Sequence, residues 1–292
     1  MNARHIALSV FLACFVVPTV RAEDAKPEKK TAKAADGLTL VYDAAGKGDT
    51  ALVFLHGWCG DRAYWKHQVP AFAKDYRVIA IEQAGHGESG KDRKAWTVES
   101  LAADVEAVVK AEGLKRVILI GHSMGGPVSL LAAKKMPGTV VAVVGADTLQ
   151  NAEYHFPEDQ QKQIFAAMEA DFKGTLGMFM PAMVAEKTDP ELKKWIADRA
   201  AAQDKTMAVG LMKDMSRLDQ KGLLKEAKVP VRAINSGGGY TFFQPTMVDI
   251  NKKYADFDAV TIPDVGHYPM LEKPAEFNEK LKGVLKELAA KK

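Results

Sequence analysis

Short apolar runs alternate with longer segments of helical period along most of this 292-residue chain. Each run has the length of a β-strand. The runs lie at residues 51–55, 117–120, 141–144, 230–235 and 259–262. Strands that are apolar throughout belong to a sheet with both faces buried, and the helical segments between them would supply that cover. The pattern therefore predicts an α/β fold.

Residues 149–222 depart from this alternation, because their periodicity is helical throughout. Three helices are predicted there, each with apolar side chains on one face. One opens at Pro157, one contains Trp195 and Ile196, and one runs from Met207 to Leu218. We therefore predict a core formed by residues 36–148 and 223–292, with the intervening residues inserted as a helical lid.

The predicted lid is rich in methionine, since it holds seven of the twelve methionines in the chain. Methionine adapts to irregular apolar shapes, which suits the roof of a pocket for an apolar or variable group. Met178, Met183 and Met212 are our candidates for lining such a pocket. Packing of the lid onto the core is the alternative explanation for each of them.

The pentapeptide Gly121-His122-Ser123-Met124-Gly125 directly follows an apolar run and precedes a helical stretch. A strand, a turn too tight for side chains at its flanking glycines, and a helix form the setting of a nucleophile elbow. The pentapeptide alone is a weak signal, because a serine there can merely cap the helix. Its setting favours Ser123 as a nucleophile.

A serine nucleophile needs a base, and in this type of sheet the histidine comes last along the chain. His267 fits, because it lies in a loop that follows the strand-like residues 259–262. The other histidines beyond residue 22 lie in turns, beside Ser123, or outside any motif, so structural or solvated roles are expected for them. They are His56, His67, His86, His122 and His155.

An oxyanion hole needs backbone amides aimed at the developing negative charge. The residue after the nucleophile, Met124, would supply one amide. Trp58 would supply the other, because it follows the apolar run 51–55 and the dipeptide His56-Gly57, where the missing side chain lets backbone approach a substrate. We also expect His56 and Gly57 to line the substrate pocket. Taken alone, the same dipeptide fits an ordinary strand-ending turn.

Four segments together resemble the α/β-hydrolase superfamily, and the resemblance covers essentially all of the chain after residue 22. They are Leu55-His56-Gly57-Trp58, Ala84-Gly85-His86-Gly87-Glu88-Ser89, Gly121-His122-Ser123-Met124-Gly125-Gly126, and Gly266-His267 followed by Met270-Leu271-Glu272-Lys273-Pro274. The resemblance implies the α/β-hydrolase fold: a mostly parallel sheet of about eight strands, helices on both faces, and catalytic loops at the carboxyl ends of the strands. It is much less specific for substrate.

The acid of the triad departs from the commonest pattern of that superfamily. Many relatives carry it after the strand that here ends at Asn235, but the following loop has no carboxylate. Some relatives place it one strand earlier, where this chain has Asp147, and Asp147 is our candidate for orienting His267. The alternatives are that Asp147 caps the next helix, or that Asp264, three residues before His267, is the acid.

Residues 1–22 have the pattern of a secretory signal peptide. Arg4 gives a basic start, residues 6–17 are apolar, and small residues mark a cleavage site near Ala22. The apolar stretch is short for a membrane span, so we expect export to the periplasm or the exterior without a stable membrane anchor. Residues 23–35 mix charges with alanine and predict a flexible lead-in.

Cysteine usage adds little to this picture. Cys14 would suit a lipoprotein, but Phe11-Leu12-Ala13 matches the residues expected before a lipidated cysteine poorly. Cleavage would leave Cys59 as the single cysteine, so an intramolecular disulfide is excluded in the mature chain. We expect Cys59 to be a small buried side chain and not a nucleophile.

Charge argues against a polyanionic partner. Loss of Arg4 and Arg21 with the leader lowers the formal net charge from +3 to +1, which does not favour binding to nucleic acid or to an anionic membrane. The hydrophobic fraction of 47% is ample for one large core. Neither the residues nor the resemblance implies a metal, nucleotide or flavin, and the oligomeric state is left open.

These residues favour a serine hydrolase that acts on carboxylic esters with small to medium apolar acyl groups. Serine at position 123 argues against haloalkane dehalogenases and epoxide hydrolases, which resemble this fold but attack with aspartate. A C–C hydrolase, an amidase or a cofactor-independent perhydrolase would keep the same triad. From a different class, a receptor that binds a small ligand with little turnover remains an alternative.

Overall fold

The computed structural model describes residues 26–290, which form a single eight-stranded sheet with helices around it. The strands are β1 (Glu28–Lys33), β2 (Thr39–Ala45), β3 (Ala51–Leu55), β4 (Arg77–Glu82), β5 (Val117–His122), β6 (Val140–Ala146), β7 (Val231–Ser236) and β8 (Phe257–Ile262). Their order across the sheet is β1-β2-β4-β3-β5-β6-β7-β8. Only the pairs β1/β2 and β2/β4 are antiparallel. The predicted α/β-hydrolase fold with a mostly parallel sheet is confirmed.

The structure describes eleven α-helices. They are α1 (Val69–Phe72), α2 (Val98–Ala111), α3 (Gly125–Lys135), α4 (Glu158–Ala170), α5 (Phe172–Ala182), α6 (Pro190–Ala201), α7 (Lys205–Met215), α8 (Gln220–Ala227), α9 (Val248–Asn251), α10 (Pro269–Glu272) and α11 (Pro274–Ala290). Helices α2 and α8 both pack against α3, whereas α10 and α11 lie with a 3-10 turn at Arg62–Trp65. Every residue of the central strands β3 and β5 is buried, as a sheet covered on both faces requires.

The prediction of a flexible lead-in at residues 23–35 is wrong for residues 28–33, which form a strand. Strand β1 pairs antiparallel with β2 along its whole length, from Glu28 opposite Ala44 to Lys33 opposite Thr39. An edge strand needs only one neighbour, and lysines on its open side protect it from pairing with other chains. Ala32 alone among the six β1 residues is buried, so the strand carries too little apolar pattern to be recognised. The predicted signal peptide at residues 1–22 lies outside the described residues.

The insertion between β6 and β7 is helical, but its details differ from the prediction. The first predicted helix is two helices, because Asp171 accepts a hydrogen bond from the Gly174 amide (2.9 Å) and starts α5 at Phe172. Helix α8 crosses the predicted boundary at residue 222 and packs on α3, so it belongs to the core. Within the described range, no helix combines the length and apolarity needed to cross a membrane.

Candidate active site

Ser123 lies on a sharp turn between β5 and α3. Its φ of 51° is left-handed, a conformation that costs a non-glycine residue on the order of 1–2 kcal/mol. A Cβ on Gly121 would collide with the Gly125 carbonyl oxygen, and one on Gly125 would lie 2.6 Å from the Leu55 carbonyl oxygen. Both flanking positions therefore require glycine, and Ser123 sits at the carboxyl end of the sheet, partly exposed.

The structure brings His267 and Asp147 together. His267 Nδ1 lies 2.6 Å from Asp147 Oδ2, and Asp147 follows β6 with a φ of 44°. Asp147 also accepts hydrogen bonds from the Ser236 amide (2.8 Å) and from the Tyr240 hydroxyl (2.9 Å). It caps no helix, since α4 begins only at Glu158. An ionised carboxylate with three donors can fix the orientation of one imidazole.

Two opposing effects set the protonation state of Asp147. Burial raises the pKa of the Asp147 carboxyl, but hydrogen bonds and charge from His267, together with the Ser236 amide and the Tyr240 hydroxyl, outweigh it, so the pKa lies below its ordinary value. Burial and the Asp147 charge raise the pKa of Tyr240, which stays a neutral donor. Asp264 is exposed, so it lacks the burial of a triad acid.

The backbone of His267 is held from two sides. Its amide donates to the Met183 carbonyl (2.7 Å), which comes from the end of α5, and its carbonyl lies 2.8 Å from His122 Nε2. Burial, followed by the nearby His267, lowers the pKa of His122 to about 3, so His122 is neutral and donates through Nε2. The sequence predicted only a structural or solvated role for His122. Its support of His267 depends on a partner 145 residues away, which local sequence does not reveal.

Ser123, Asp147 and His267 line one cavity of about 220 Å³. Because Nδ1 of His267 is paired with Asp147, Nε2 is the nitrogen available to the Ser123 hydroxyl or to a substrate. No group of three or more His, Cys, Asp or Glu side chains within residues 26–290 is arranged to hold a metal ion. The residues around this cavity are suited to proton transfer and nucleophilic attack.

The loop after β3 packs directly against the elbow. A Cβ on Gly57 would lie 2.7 Å from His122 Nδ1 and 3.0 Å from Ser123 Cβ, so only glycine allows this approach. Trp58 follows, and its indole Nε1 donates to the Ala208 carbonyl at 2.7 Å. Among the described residues, no carbonyl or side chain accepts a hydrogen bond from the amide of Trp58 or Met124. Two free donors therefore lie beside the nucleophile, as an oxyanion hole requires.

His56 was expected in the substrate pocket, but it is fully buried and lines none of the described cavities. Its Nε2 accepts from the Gln83 amide (3.0 Å), and its Nδ1 lies 2.8 Å from the Gly57 carbonyl oxygen. Burial lowers the pKa of His56, which keeps the ring neutral. His56 therefore shapes the loop that carries Trp58 and does not face the pocket.

The three methionines proposed for the pocket have different outcomes. Met178 is 76% exposed and lines no described cavity, so that expectation is wrong. Helix α5 instead turns Leu176 and Phe179 inward. Met183 lines both the catalytic cavity and a larger neighbouring one, and Met212 lines the larger one.

Cys59 is fully buried next to Trp58, and burial raises the pKa of its thiol well above the ordinary value. A thiol reacts through its thiolate. We expect the native protein to resist iodoacetamide at pH 8, and the same protein in 6 M guanidinium chloride to be alkylated completely. Intact-mass spectrometry distinguishes the two. Rapid labelling of the folded chain would contradict the buried position.

Buried neutral histidines should make stability pH-dependent. Burial lowers the pKa of both His86 and His122 to about 3, whereas an unfolded chain binds these protons near pH 6.5. Stability is therefore complete above pH 6.5 and lost as the pH falls toward 3. Each histidine contributes a slope of up to about 1.4 kcal/mol per pH unit. Urea unfolding between pH 8 and pH 5 should be level above pH 7 and decline below pH 6.5; a level profile throughout would contradict the prediction.

Comparison with known proteins identifies the family. The model of the α/β-hydrolase fold family matches residues 50–199, just over half of the chain. The chain belongs to the α/β-hydrolase fold family. This α/β-hydrolase is 27% identical over 272 residues to a dihydrolipoyllysine-residue acetyltransferase component of an acetoin cleaving system from Pseudomonas putida, covering 89% of this chain and 70% of that protein.

Two further proteins are similar to this chain. The Karrikin insensitive 2 receptor CA of Petunia hybrida is 25% identical over 201 residues, which cover 65% of this α/β-hydrolase and 74% of the receptor. The structure of a thermophilic esterase from Thermogutta terrifontis superposes with a TM-score of 0.74 at 23% identity, covering 90% of this chain and 99% of the esterase. At that identity the likeness shows the fold alone.

Proposed function

We propose that this α/β-hydrolase is a serine carboxylic-ester hydrolase with Ser123, His267 and Asp147 as its triad. The observation that carries the proposal is the 2.6 Å contact between His267 Nδ1 and Asp147 Oδ2 in the cavity that Ser123 also lines. Trp58 and Met124 would form the oxyanion hole through their free amides. A base oriented by a buried carboxylate, beside a strained serine, is the arrangement that activates a hydroxyl.

The proposed reaction has two steps, acylation of Ser123 and deacylation by water. Ser123 Oγ attacks the ester carbonyl carbon while His267 Nε2 takes the hydroxyl proton, and the two amides stabilise the oxyanion. The tetrahedral intermediate collapses, the carbon–oxygen bond to the alcohol breaks, and His267 returns the proton to the leaving oxygen. Water then attacks the acyl-enzyme with the same base, releasing the acid and restoring Ser123. Asp147 stays ionised throughout and stabilises the charged imidazole.

Two considerations favour an ester, and a cavity under the insertion favours its role as a lid. An alcohol leaves more readily than an amine or a carbanion, so ester cleavage depends least on proton transfer to the leaving group. The Thermogutta terrifontis protein of similar fold is an esterase. Helices α4, α5 and α7 surround a large apolar cavity beside Ser123, so we propose that they act as a lid. C–C, amide and perhydrolase chemistry on the same triad remain the alternatives within this class.

Hydrolysis of p-nitrophenyl acetate, butyrate and octanoate by the mature protein tests this proposal. We expect steady release of p-nitrophenol for many turnovers, and labelling at Ser123 by a fluorophosphonate probe, located by peptide mass spectrometry. Denatured protein is the control, because its serine lacks the elbow and the base. Absence of both turnover and labelling would reject the serine hydrolase.

A ligand receptor with little turnover is the second candidate, because one relative is named as a receptor. Such a protein would release at most one equivalent of p-nitrophenol per chain and then stall. Pre-steady-state measurement of the burst and of the following slope separates the two candidates. A sustained slope supports the enzyme.

We also propose that the protein is exported after cleavage near Ala22. The basic start, the apolar residues 6–17 and the small residues before the site support this proposal. Expression of the full chain in a bacterium, followed by N-terminal sequencing of the periplasmic fraction, should give a chain that begins near Glu23. Recovery of the intact N-terminus only in the cytoplasm would contradict it.

A further inference from the structure

Two cavities of opposite character meet at the candidate active site. The smaller cavity, about 220 Å³, contains the triad and is otherwise largely polar. Its polar lining consists of Thr148, Gln150, Asn151, Gln220, Tyr240 and Gln244. The larger cavity, about 720 Å³, is mainly apolar, with a lining that includes Trp58, Ile164, Phe165, Met168, Leu176 and Phe179. We call these the polar cavity and the apolar cavity.

Four residues line both cavities, so the two cavities are neighbours along a shared wall. These residues are Tyr154, Met183, Phe242 and Gln244. Met183 connects this wall to His267, because its carbonyl accepts a hydrogen bond from the His267 amide (2.7 Å). Phe242 contacts Phe179 with ring centroids 5.0 Å apart and the rings tilted by 39°, which extends the wall into the apolar cavity. A substrate held at Ser123 with one end in each cavity would pass along these four residues.

The chemistry decides which end of an ester enters which cavity. His267 must protonate the leaving oxygen, so the alcohol lies on the His267 side, and His267 lines only the polar cavity. The carbonyl oxygen must face the amides of Trp58 and Met124. The acyl chain occupies a different position on the reacting carbon from the alcohol, and the apolar cavity, which Trp58 lines and His267 does not, is the neighbouring space that it can enter.

We propose that the substrate is an ester that joins an extended apolar acyl group to a small polar alcohol. This inference rests on the proposed ester hydrolase and adds the direction in which the ester binds. The apolar cavity gains free energy from each buried methylene, whereas the polar cavity offers amide and hydroxyl groups to the hydroxyls of an alcohol. A long apolar alcohol would instead bury its chain against those groups and leave them without partners.

Two isomeric esters test the direction directly. In 2-hydroxyethyl octanoate the octyl-length chain belongs to the acid, and in octyl glycolate it belongs to the alcohol; both have the formula C10H20O3. We expect kcat/KM for 2-hydroxyethyl octanoate to exceed that for octyl glycolate by on the order of 10²-fold, once both are divided by their alkaline hydrolysis rates. Each buried methylene contributes about fourfold, so burial of roughly three to four methylenes gives this ratio. Equal values or the reverse preference would overturn the inference.

p-Nitrophenyl acetate separates this outcome from failure of the proposed function. Turnover of p-nitrophenyl acetate that depends on Ser123, with neither isomer hydrolysed, would overturn the substrate inference and leave the esterase standing. Loss of all three activities, together with no fluorophosphonate labelling, would overturn both.

A matched pair of variants tests the apolar cavity. Ala167 on α4 is exposed and lines the apolar cavity, whereas its neighbour Ala166 is also exposed and does not line it. We expect Ala167→Trp to narrow the cavity and to lower kcat/KM for p-nitrophenyl octanoate about tenfold more than kcat/KM for the acetate ester. Ala166→Trp should leave both values unchanged. An equal effect of the two variants on the octanoate ester would contradict the assignment of the acyl chain to this cavity.

The polar cavity has its own test in Gln220. Gln220 lines the polar cavity and not the apolar one. We expect Gln220→Leu to lower kcat/KM for 2-hydroxyethyl octanoate several-fold more than kcat/KM for methyl octanoate, because a methyl group makes no hydrogen bond there. Equal losses for the two esters would contradict recognition of the alcohol by this cavity.

Discussion

Ser123→Ala should lower kcat for p-nitrophenyl butyrate by on the order of 10⁶-fold, to the rate of a protein with no nucleophile. The Ser123 hydroxyl is the only group that the proposed mechanism uses to form the acyl-enzyme, so no neighbouring side chain replaces it. The fold should tolerate the change, because alanine keeps the Cβ at φ 51° and removes only one oxygen. Steady-state kinetics and a thermal unfolding curve on the same preparation measure both effects.

Ser129→Ala is the matched control for this experiment. Ser129 lies six residues further along in α3, where its hydroxyl donates to the Gly125 carbonyl (2.7 Å) within the helix. Its loss should cost about 1 kcal/mol of unfolding free energy and leave kcat within a few-fold of the parent. Retained turnover in Ser123→Ala, with the control also active, would mean that another group performs the attack.

The turn that carries Ser123 could be predicted from sequence because its signal is local. A strand, two obligatory glycines and a helix within a short stretch leave few other conformations, and the structure shows why each glycine is required. His267 was located by chain order in the same fold. Asp147 was placed by analogy of strand position, and the structure adds the physical reason: its backbone turns sharply at φ 44° directly after β6.

The residues that hold Asp147 and His267 in place could not be predicted from local sequence, because their hydrogen-bond partners are distant along the chain. Tyr240 reaches Asp147 across 93 residues, and His122 reaches the His267 carbonyl across 145. Met178 shows a related limit: periodicity places it on a helix, but which face turns inward depends on how α5 packs. Strand β1 was missed because an edge strand is held by backbone hydrogen bonds, which leave little trace in side-chain pattern.

Asp147→Asn should lower kcat/KM by about 10⁴-fold while leaving the fold intact. The carboxylate oxygen Oδ2 now accepts from both His267 Nδ1 and the Tyr240 hydroxyl. If the amide nitrogen of asparagine takes that position, it donates where an acceptor is needed, and the imidazole is driven to the tautomer with its proton on Nε2. That nitrogen could then no longer accept the Ser123 proton. The charge that stabilises the imidazolium is lost as well.

Two companion variants make the assignment of the acid decisive. Asp264→Asn removes the alternative acid that the sequence offered, but Asp264 is exposed, so we expect kcat/KM within twofold of the parent. Tyr240→Phe removes one of the donors to Asp147 and keeps the carboxylate, so its loss should be about tenfold, far smaller than that of Asp147→Asn. A near-normal rate for Asp147→Asn combined with a large loss for Asp264→Asn would transfer the acid to position 264. The expected order follows from burial and hydrogen bonding: only a buried carboxylate in direct contact with Nδ1 can hold both the tautomer and the charge of His267.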